Sequence, residues 1–331
     1  MNLYNPWNNI PKNKNSEILT FNSNSFPKFE IESNYLPRGL GRSYGDVCLN
    51  NDGSLILTSE NNMITNFDHE NGFIECESGV SINEILKIIL PFGWFLPVVP
   101  GTSFVTIGGA IANDIHGKNH HKVGSFGNFV EEIDLLRSNG EVKFCSPNKN
   151  QEYFYSTIGG LGLTGLILKA KIKLIKVESS YLQTQTFRYH SLEEFFNLNE
   201  KMENHNAYTV SWVDVNFNKN NIRGVYHVGN HDKEDKRIFN KSKSNKEINL
   251  RLPFPPYISL VNNFTIKILN NGYYFLNRNS NLTSQYYKKF FFPLDALRNW
   301  NKAYGRKGFY QYQFVVKKSF AYEVIEEVIK I

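Results

Sequence analysis

The chain has 331 residues, of which 41% are hydrophobic and 21% charged, and its formal net charge is +6. This length is enough for two domains of ordinary size, and the composition is that of a folded globular protein rather than a disordered one. The small positive charge indicates a slight preference for anionic partners, but it is far below that of a nucleic-acid-binding protein.

The cysteines and the N-terminus bear on the compartment. Cys48, Cys76 and Cys145 are scattered and match neither a CxxC pair nor a metal-binding spacing, so we expect a reducing compartment and no metal site. The opening stretch MNLYNPWNNIPKNKN lacks the apolar core of a signal peptide, and no run of about 18 apolar residues is present to span a membrane. We expect a protein that is cytoplasmic or bound at the membrane periphery, with no nucleic acid as partner.

The first third of the chain alternates strand and helix signals. Residues 1–34 are polar and rich in turn formers, and we expect an arm that leads into the first strand. Short apolar runs next to turn residues predict strands at 54–58 and 73–77. Ser81–Glu84 is a capping box, and the apolar spacing after it predicts a helix that ends at Pro91.

A first glycine-rich segment, PRGLGRSYGD at 37–46, places Arg38 and Arg42 among three glycines. Backbone donors next to guanidinium groups are suited to a diphosphate. The alternative is a tight turn with two solvated arginines.

A second glycine-rich segment, PGTSFVTIGGAIANDIHGKNHHKVGSF at 100–126, contains five glycines and the histidines His116, His120 and His121. Glycine lets the backbone approach a ligand closely, and the histidines and Lys118 can titrate or carry charge. We interpret the segment as a wall of a phosphate-bearing cofactor site, with a glycine-rich surface loop as the alternative. Its middle is predicted as a short helix. Strand and helix signals separate the two glycine segments, so we expect them to form opposite walls of one cleft.

The middle of the chain contains a misleading motif. A hairpin is predicted at 130–145 around Asn139-Gly140, followed by a helix at 151–158. Residues 160–165 then match G-x-G-x-x-G, the fingerprint of dinucleotide sites. That fingerprint must open a helix, whereas apolar residues and lysines alternate over 166–177, as in a half-exposed strand. We therefore reject a Rossmann nicotinamide site.

The residue pattern of the chain changes near 178–181, and we predict a domain boundary there, between domains at 1–178 and 179–331. Residues 252–292 mix aromatics, prolines and lysines, which indicates either a surface that meets a lipid or an ordinary aromatic core, and we favour the core. The other elements predicted in the second domain are a capping box at Ser191–Glu194, strands at 209–217, 222–228 and 309–316, helices at 294–304 and 322–331, and a charged mobile loop at 232–251.

Five segments carry a resemblance to a known family: RGLGRSYGD at 38–46, the second glycine segment extended to 100–128, GGLGLTGLI at 159–167, FPLDALRNWNKAYG at 292–305 and GFYQYQFVV at 308–316. Together they closely resemble the decaprenylphosphoryl-β-D-ribose 2′-oxidase family of FAD-linked oxidases. The resemblance implies an α+β fold, in which a PCMH-type (vanillyl-alcohol-oxidase type) FAD-binding domain of two α/β subdomains precedes an antiparallel-sheet substrate domain.

The same resemblance implies a reaction. An enzyme of this family binds FAD non-covalently and oxidises the 2′-hydroxyl of a polyprenyl-phosphoryl ribose to the ketone. An NAD(P)H-dependent short-chain reductase then completes epimerisation to the arabinose, a cell-wall glycan precursor. The resemblance therefore implies a polyprenyl-phosphate-linked sugar, a reductase and peripheral membrane contact as partners.

Roles are carried over residue by residue. The residues expected to bind FAD are Arg38, Gly39, Leu40, Gly41, Arg42, Ser43, Tyr44, Gly45, Asp46, Gly101, Thr106, Ile107, Gly108, Gly109, Asn113, Asp114, Ile115, His116 and Ile167. The residues expected to be catalytic are His116, Lys118, Tyr44 and Gln313. The residues expected to bind substrate are Lys118, Gln311 and Gln313. We expect His120 and His121 to support the site rather than to react.

Two other functions stay open. One is FAD-dependent oxidation of a soluble sugar or aldonolactone, and the other is FAD binding without turnover. The second arises because family members continue past residue 331, where the resemblance places a catalytic lysine, a cysteine near the flavin and a tyrosine that contacts the cofactor. We therefore expect a chain truncated at its C-terminus, poorly soluble or weakly flavinated alone.

Overall fold

The computed structural model describes residues 4–14, 17–21, 33–218, 221–233, 250–257 and 259–330. The strands in these ranges are β1 (Glu17–Thr20), β2 (Tyr35–Arg38), β3 (Ser54–Leu57), β4 (Ile64–Asp68), β5 (Phe73–Glu77), β6 (Trp94–Phe95), β7 (Val130–Leu136), β8 (Val142–Cys145), β9 (Leu166–Lys173), β10 (Ile175–Lys176), β11 (Tyr181–Tyr189), β12 (Tyr208–Asn218), β13 (Asn221–His231), β14 (Leu250–Arg251), β15 (Thr283–Tyr286) and β16 (Leu297–Arg298). The α-helices are α1 (Ile82–Ile89), α2 (Ile107–Ala112), α3 (His120–Val123), α4 (Gln151–Thr157), α5 (Leu192–Met202), α6 (Asn263–Leu276), α7 (Tyr287–Phe291) and α8 (Ala321–Lys330). The α+β class expected from the sequence is confirmed.

A three-stranded parallel sheet, in the order β1-β3-β2, is the first layer. The prediction that residues 1–34 are only an arm is wrong, because this stretch contributes β1. The pairing is reinforced where the Ser54 hydroxyl donates to the Glu17 carboxylate at 2.8 Å.

A five-stranded antiparallel sheet, in the order β4-β5-β9-β7-β8, is the second layer. Helix α1 packs in the same hydrophobic core as this sheet. The predicted capping box at its start is confirmed: the Ser81 hydroxyl accepts from the Glu84 amide, and the Glu84 carboxylate accepts from the Ser81 amide. Its apolar stripe has no exposed surface, and such burial contributes about 1.5–3 kcal/mol for each large side chain.

The hairpin β7–β8 and the helix α4 also form as predicted. The glycine motif at 160–165 leads into β9, the central strand of the five-stranded sheet, and not into a helix. This confirms that the motif is not a Rossmann fingerprint.

A four-stranded antiparallel sheet, in the order β12-β13-β11-β15, forms the third layer. The predicted strands at 209–217 and 222–228 are confirmed as β12 and β13. Ser191 caps α5, but the Glu194 carboxylate accepts from the His190 amide instead of closing the predicted box on Ser191.

Residues 252–292 divide between the two environments that the sequence left open. Helix α7 buries Phe290 and Phe291 in the same core as Leu182 and Tyr208 of the third layer and Phe95 of the region after α1. Helix α6 instead leaves most of its apolar side chains exposed.

Two predicted elements near the C-terminus are wrong. The helix at 294–304 is two 3₁₀ turns separated by β16, which pairs in parallel with β14, and Asn299 between them has a φ of 59°. Residues 309–316 form no strand and join none of the described sheets. Helix α8 is confirmed, whereas most of the loop predicted at 232–251 lies outside the described residues. No helix among the described residues is both long and apolar enough to cross a bilayer.

Candidate active site

A cleft of about 870 Å³ is lined by both glycine-rich segments, by the 161–167 region and by residues of the C-terminal third. This volume is in the range of small-molecule and cofactor sites. The prediction that the two glycine segments meet at one cleft is confirmed.

Most of the predicted site residues border this cleft. They are Arg38, Gly39, Leu40, Gly41, Arg42, Ser43, Tyr44, Gly101, Thr106, Gly108, Gly109, Asn113, Ile115, His116, Ile167, Gln311 and Gln313. Five do not border it: Gly45, Asp46, Ile107, Asp114 and Lys118.

Three of these five have other places. Ile107 is fully buried in the main core, so its side chain does not reach the cleft. The Gly45 amide donates to the Asn8 side chain at 3.0 Å, and Asp46 borders a separate, smaller pocket. The first glycine segment therefore turns away from the cleft after Tyr44.

Asp114 holds the histidine loop in shape from outside the cleft. Its carboxylate accepts from the Ser125 hydroxyl at 2.7 Å and from the Gly127 amide at 2.8 Å. His116 and Ser125 are bridged through the backbone, so these bonds hold the backbone from which the imidazole extends.

Lys118 is turned toward the third layer. Its ammonium group donates to the Phe290 carbonyl and lies 4.6 Å from the Phe290 ring centroid. Burial lowers the pKa of Lys118 to about 8. The expectation that Lys118 faces the flavin and the sugar is wrong for this conformation, because the ammonium group is already occupied behind the cleft wall.

Backbone amides dominate the first wall. The amides of Leu40, Gly41, Arg42 and Ser43 donate to no other residue in the described part of the chain, and Gly41 has a left-handed φ of 61°. Successive unpaired amides around a left-handed residue form a concave anion-binding surface.

The two arginines of this wall differ in what they can offer. Arg38 is buried, and its guanidinium donates to the Cys48 carbonyl at 2.6 Å and to the Asn5 carbonyl at 2.8 Å. Its predicted role as a diphosphate ligand is therefore replaced by a structural one. Arg42 stacks 4.3 Å from the Trp7 ring, and burial lowers its pKa, an effect that Asp295 partly offsets.

Helix α2 forms the second wall through close packing. The Thr106 hydroxyl accepts from the Gly109 amide at 3.1 Å, and the Gly108 amide donates to the Ser78 carbonyl at 2.8 Å. A Cβ atom at Gly108 would lie 2.9 Å from the Ser78 Cβ, whereas one at Gly101 would meet nothing within 4 Å. Gly108 therefore permits helix packing, while Gly101 leaves open space at the cleft.

Asp295 fixes the loop at the start of the second wall. Its carboxylate accepts from the Thr102 hydroxyl at 2.5 Å and from the Ser103 amide and hydroxyl at 2.8 and 2.7 Å. Asp295 also borders the cleft, so one residue of the C-terminal third holds a glycine-segment loop 192 positions earlier.

His116 is the histidine that lines the cleft. Burial lowers the pKa of His116, His120 lowers it further and Asp114 opposes both. The Gln313 amide nitrogen lies 3.2 Å from His116 Nε2 and 3.4 Å from Nδ1. Gln311 and Gln313 border the cleft as expected, although they lie outside the described sheets. His120 and His121 are both exposed.

Tyr44 of the first wall also borders the cleft. Its ring packs edge-on against Phe309 at 5.6 Å, and burial raises the pKa of its phenol. Tyr44 is therefore neutral near neutral pH and able to donate a hydrogen bond.

Sequence reasoning did not single out several residues that border the cleft: Trp7, Leu161, Gly162, Asp295, Arg298 and Trp300. Three of them lie in the segment FPLDALRNWNKAYG, whose likeness to the oxidase family was the available signal. Leu161 and Gly162 belong to the glycine motif at 160–165, which is not a Rossmann fingerprint. This motif borders the cleft from the loop that precedes β9.

Comparison with known proteins identifies the cofactor of the chain. A family model described as an FAD binding domain matches residues 31–146, the range that contains both glycine segments. The chain carries an FAD-binding domain. Its cofactor is accordingly FAD.

The chain is also a homologue of the decaprenylphosphoryl-beta-D-ribose oxidase of Mycolicibacterium smegmatis. The two are 37% identical over 306 residues, which cover 88% of this chain and 64% of that oxidase. The chain thus spans slightly less than two thirds of the length of this relative.

Two further relatives are similar over shorter stretches. The Delta(24)-sterol reductase of Rattus norvegicus is 26% identical over 146 residues, or 43% of this chain and 28% of that protein. A putative D-arabinono-1,4-lactone oxidase of Neurospora crassa is 26% identical over 137 residues, or 41% of this chain and 24% of that protein.

The cleft residues of the FAD-binding domain fit this cofactor. The amides from Leu40 to Ser43, which donate to none of the described residues, are suited to diphosphate oxygens, and Gly101 leaves room where a side chain would intrude. Apolar side chains of Leu161 and Ile167 supply a surface for a flat ring.

Proposed function

We propose that the chain is an FAD-dependent oxidoreductase that oxidises the 2′-hydroxyl of a polyprenyl-phosphoryl-β-D-ribose to the 2′-ketone. The observation that carries the proposal is the His116–Gln313 pair at the FAD cleft. The 37% identity to the M. smegmatis oxidase supports the choice of substrate.

Oxidation of a secondary alcohol removes a hydride from carbon and a proton from oxygen. FAD supplies the hydride acceptor when it is bound. The chain must supply the proton acceptor and hold the alcohol in register with the cofactor.

His116 is the proposed proton acceptor. Because burial lowers its pKa, the imidazole is neutral near pH 7 and keeps one nitrogen lone pair free of a proton. A sugar hydroxyl bound between His116 and Gln313 would donate its proton to the imidazole and accept a hydrogen bond from the amide. The neutral Tyr44 phenol, which also borders the cleft, is proposed to orient the sugar.

In this proposal the two predicted domains have different roles, one in cofactor binding and the other in substrate binding. Residues 1–178 hold FAD without a covalent bond, and residues 179–331 supply the substrate wall through Gln311 and Gln313. A short-chain reductase would consume the ketone. In M. smegmatis the corresponding relative is named for decaprenylphosphoryl ribose, so a polyprenyl phosphate is the proposed anchor of the sugar.

The test begins with the purified chain. Acid precipitation is expected to release a yellow supernatant, and anaerobic addition of polyprenyl-phosphoryl ribose is expected to bleach the flavin absorbance. Flavin that stays in the pellet would contradict non-covalent binding. A flavin that is never bleached by the lipid-linked ribose would overturn the proposed reaction.

Oxidation of a soluble aldonolactone is the second candidate, favoured by the likeness to the putative D-arabinono-1,4-lactone oxidase. The same bleaching assay separates the two functions. Reduction by a soluble lactone or free pentose, with no dependence on detergent or lipid, would support this alternative over the lipid-linked substrate.

A further inference from the structure

Helix α6 exposes apolar side chains that an ordinary surface helix would bury. Such a helix normally buries its apolar stripe and exposes its polar one. In α6 only Tyr274 is buried, and the five large apolar side chains that we call the α6 face are exposed. They are Phe264, Ile268, Leu269, Phe275 and Leu276.

Polar contacts fix this orientation. The Asn270 side-chain amide donates to the Asp214 carboxylate at 2.7 Å, and the Arg223 guanidinium donates to the side-chain amide oxygen of Asn271 at 2.6 Å. Asp214 and Arg223 are themselves a buried ion pair at 2.9 Å, and Arg223 lies 4.5 Å from the Tyr274 ring. The polar side of α6 is thus locked to the third layer, and a roll of the helix that buried the α6 face would break these bonds.

Exposed apolar side chains also occur in the segment that precedes the helix. Phe254, Tyr257 and Leu260 are all exposed, and the Thr265 hydroxyl donates to the Leu260 carbonyl at 2.7 Å, which ties the end of this segment to the start of α6. So many exposed large apolar side chains within about 25 residues are typical of an interaction site.

Charge indicates the occupant. Residues 250–320 contain eleven lysines and arginines and one acidic residue, Asp295, so the rest of the chain is net negative. Lys267 and Arg278 are exposed within and just beyond α6, and Arg306 lies 5.8 Å from the Tyr257 ring. Apolar side chains on a helix flanked by cationic groups are the features that bind an anionic bilayer surface.

From these observations we propose that the α6 face, together with Phe254, Tyr257 and Leu260, inserts into the surface of an anionic phospholipid bilayer, with α6 lying in the membrane plane. The segment that precedes α6 begins at the cleft, because the Leu252 amide donates to the Arg298 carbonyl at 3.2 Å and Arg298 borders the cleft. If the proposed function holds, this placement lets a lipid-linked sugar reach His116 while its polyprenyl chain stays in the bilayer. The docking itself does not depend on that substrate.

Flotation of the purified chain with liposomes tests the proposal. Vesicles of phosphatidylcholine alone are compared with vesicles that also contain phosphatidylglycerol, at low and high salt. We expect co-flotation with the anionic vesicles that weakens as salt rises. Failure to float with either vesicle would overturn the proposal.

Substitution assigns the surface. Phe264 and Leu276 are 74% and 85% exposed, so the double change Phe264→Glu and Leu276→Glu should leave the fold intact and reduce vesicle binding by at least about tenfold. The matched control changes Met63 and Tyr155, which are 55% and 59% exposed in the FAD-binding domain, to Glu. Circular dichroism and the thermal midpoint check that all three proteins fold alike.

Two results would contradict the assignment. Vesicle binding that survives the Phe264→Glu and Leu276→Glu double change would place the membrane contact elsewhere. A vesicle-free dimer, seen in sedimentation velocity and abolished by the same double change, would show that a second copy of the chain covers the α6 face. Either result leaves the flavin-bleaching test of the proposed function unaffected.

Discussion

At the scale of single residues, the cleft depends on a few side chains whose partners are far away in sequence. His116 is positioned by the Asp114 loop and contacts Gln313, and the loop that follows Gly101 is held by Asp295. Each group can be removed separately, because each has a distinct set of contacts. Two predictions belong to this scale.

Replacing His116 by Ala should lower turnover by about 10²–10⁴-fold, the usual effect of losing an acid–base group, with little change in flavin content. The pKa of His116 is below the ordinary value of a histidine, so the activity of the unmodified chain should fall only when the pH drops below this lowered pKa. The loss of activity at acid pH should be absent in the variant. Steady-state kinetics across pH measures both effects. His121→Ala is the control, since His121 is exposed and does not border the cleft, and an equal loss there would contradict a specific role for His116.

Replacing Asp295 by Asn removes a charged acceptor from three hydrogen bonds to Thr102 and Ser103. Hydrogen bonds to a charged group contribute about 1.5–3 kcal/mol, so the loop should loosen and FAD should bind roughly tenfold or more weakly. Fluorescence titration of the apoprotein with FAD measures this change. Asp68→Asn, in an exposed turn, is the control, and unchanged affinity in Asp295→Asn would show that the loop does not need this clamp.

At the scale of elements, glycine serves two different purposes along one segment. Within α2, Gly108 lets the helix pack against Ser78, where a side chain would collide. Before α2, Gly101 leaves open space that borders the cleft. The two positions should therefore respond differently to a larger residue.

Gly101→Val should leave the fold stable but lower the flavin-to-protein ratio, because the new side chain would extend into the cleft and not into the core. Absorbance of the purified protein gives the ratio, and the thermal midpoint of the apoprotein gives the stability. Gly272→Val on α6 is the matched control, since a Cβ atom there also meets nothing within 4 Å. A variant at Gly101 with full flavin occupancy would show that this open space is not part of the FAD site.

At the scale of the whole molecule, the layers share one core. His231 of the third layer is buried, with its ring 5.0 Å from Phe95 and its Nε2 atom 3.2 Å from the Tyr208 hydroxyl. Burial lowers the pKa of His231 to about 4, and burial followed by the charge of Lys118 lowers the pKa of His227 to about 4. Both groups lie where the third layer meets the rest of the chain.

The junction should therefore be sensitive to acid. In the unfolded chain these histidines titrate near pH 6.5, so between about pH 6.5 and 4 the unfolded state binds protons that the folded state does not. Stability is complete above pH 6.5 and should fall as the pH drops, by up to about 1.4 kcal/mol per pH unit for each histidine.

Urea denaturation at several pH values from 7.5 to 5 measures this slope. The variant His231→Gln should show a shallower dependence on pH, whereas His69→Gln, at an exposed site, should match the unmodified chain. A slope that is the same in all three proteins would mean that other groups govern the acid sensitivity.

The sequence by itself determined the features that depend on local pattern. Turn chemistry located the Asn139-Gly140 hairpin, the capping box located α1, and the alternation after Gly165 excluded a Rossmann helix. Clustered glycines and the motif likeness also located most of the cleft, because a backbone that approaches a ligand closely requires glycine, which can be seen in the sequence.

Only the tertiary structure decided which partner each side chain takes. It directed Arg38 to two backbone carbonyls and Lys118 to Phe290, although both had been expected to meet ligands. It also placed Asp295 on a distant loop and turned the apolar side of α6 outward. The physical reason is that periodicity and turn residues encode backbone conformation within a few positions, whereas a hydrogen-bond partner or a buried face depends on which distant segments pack together.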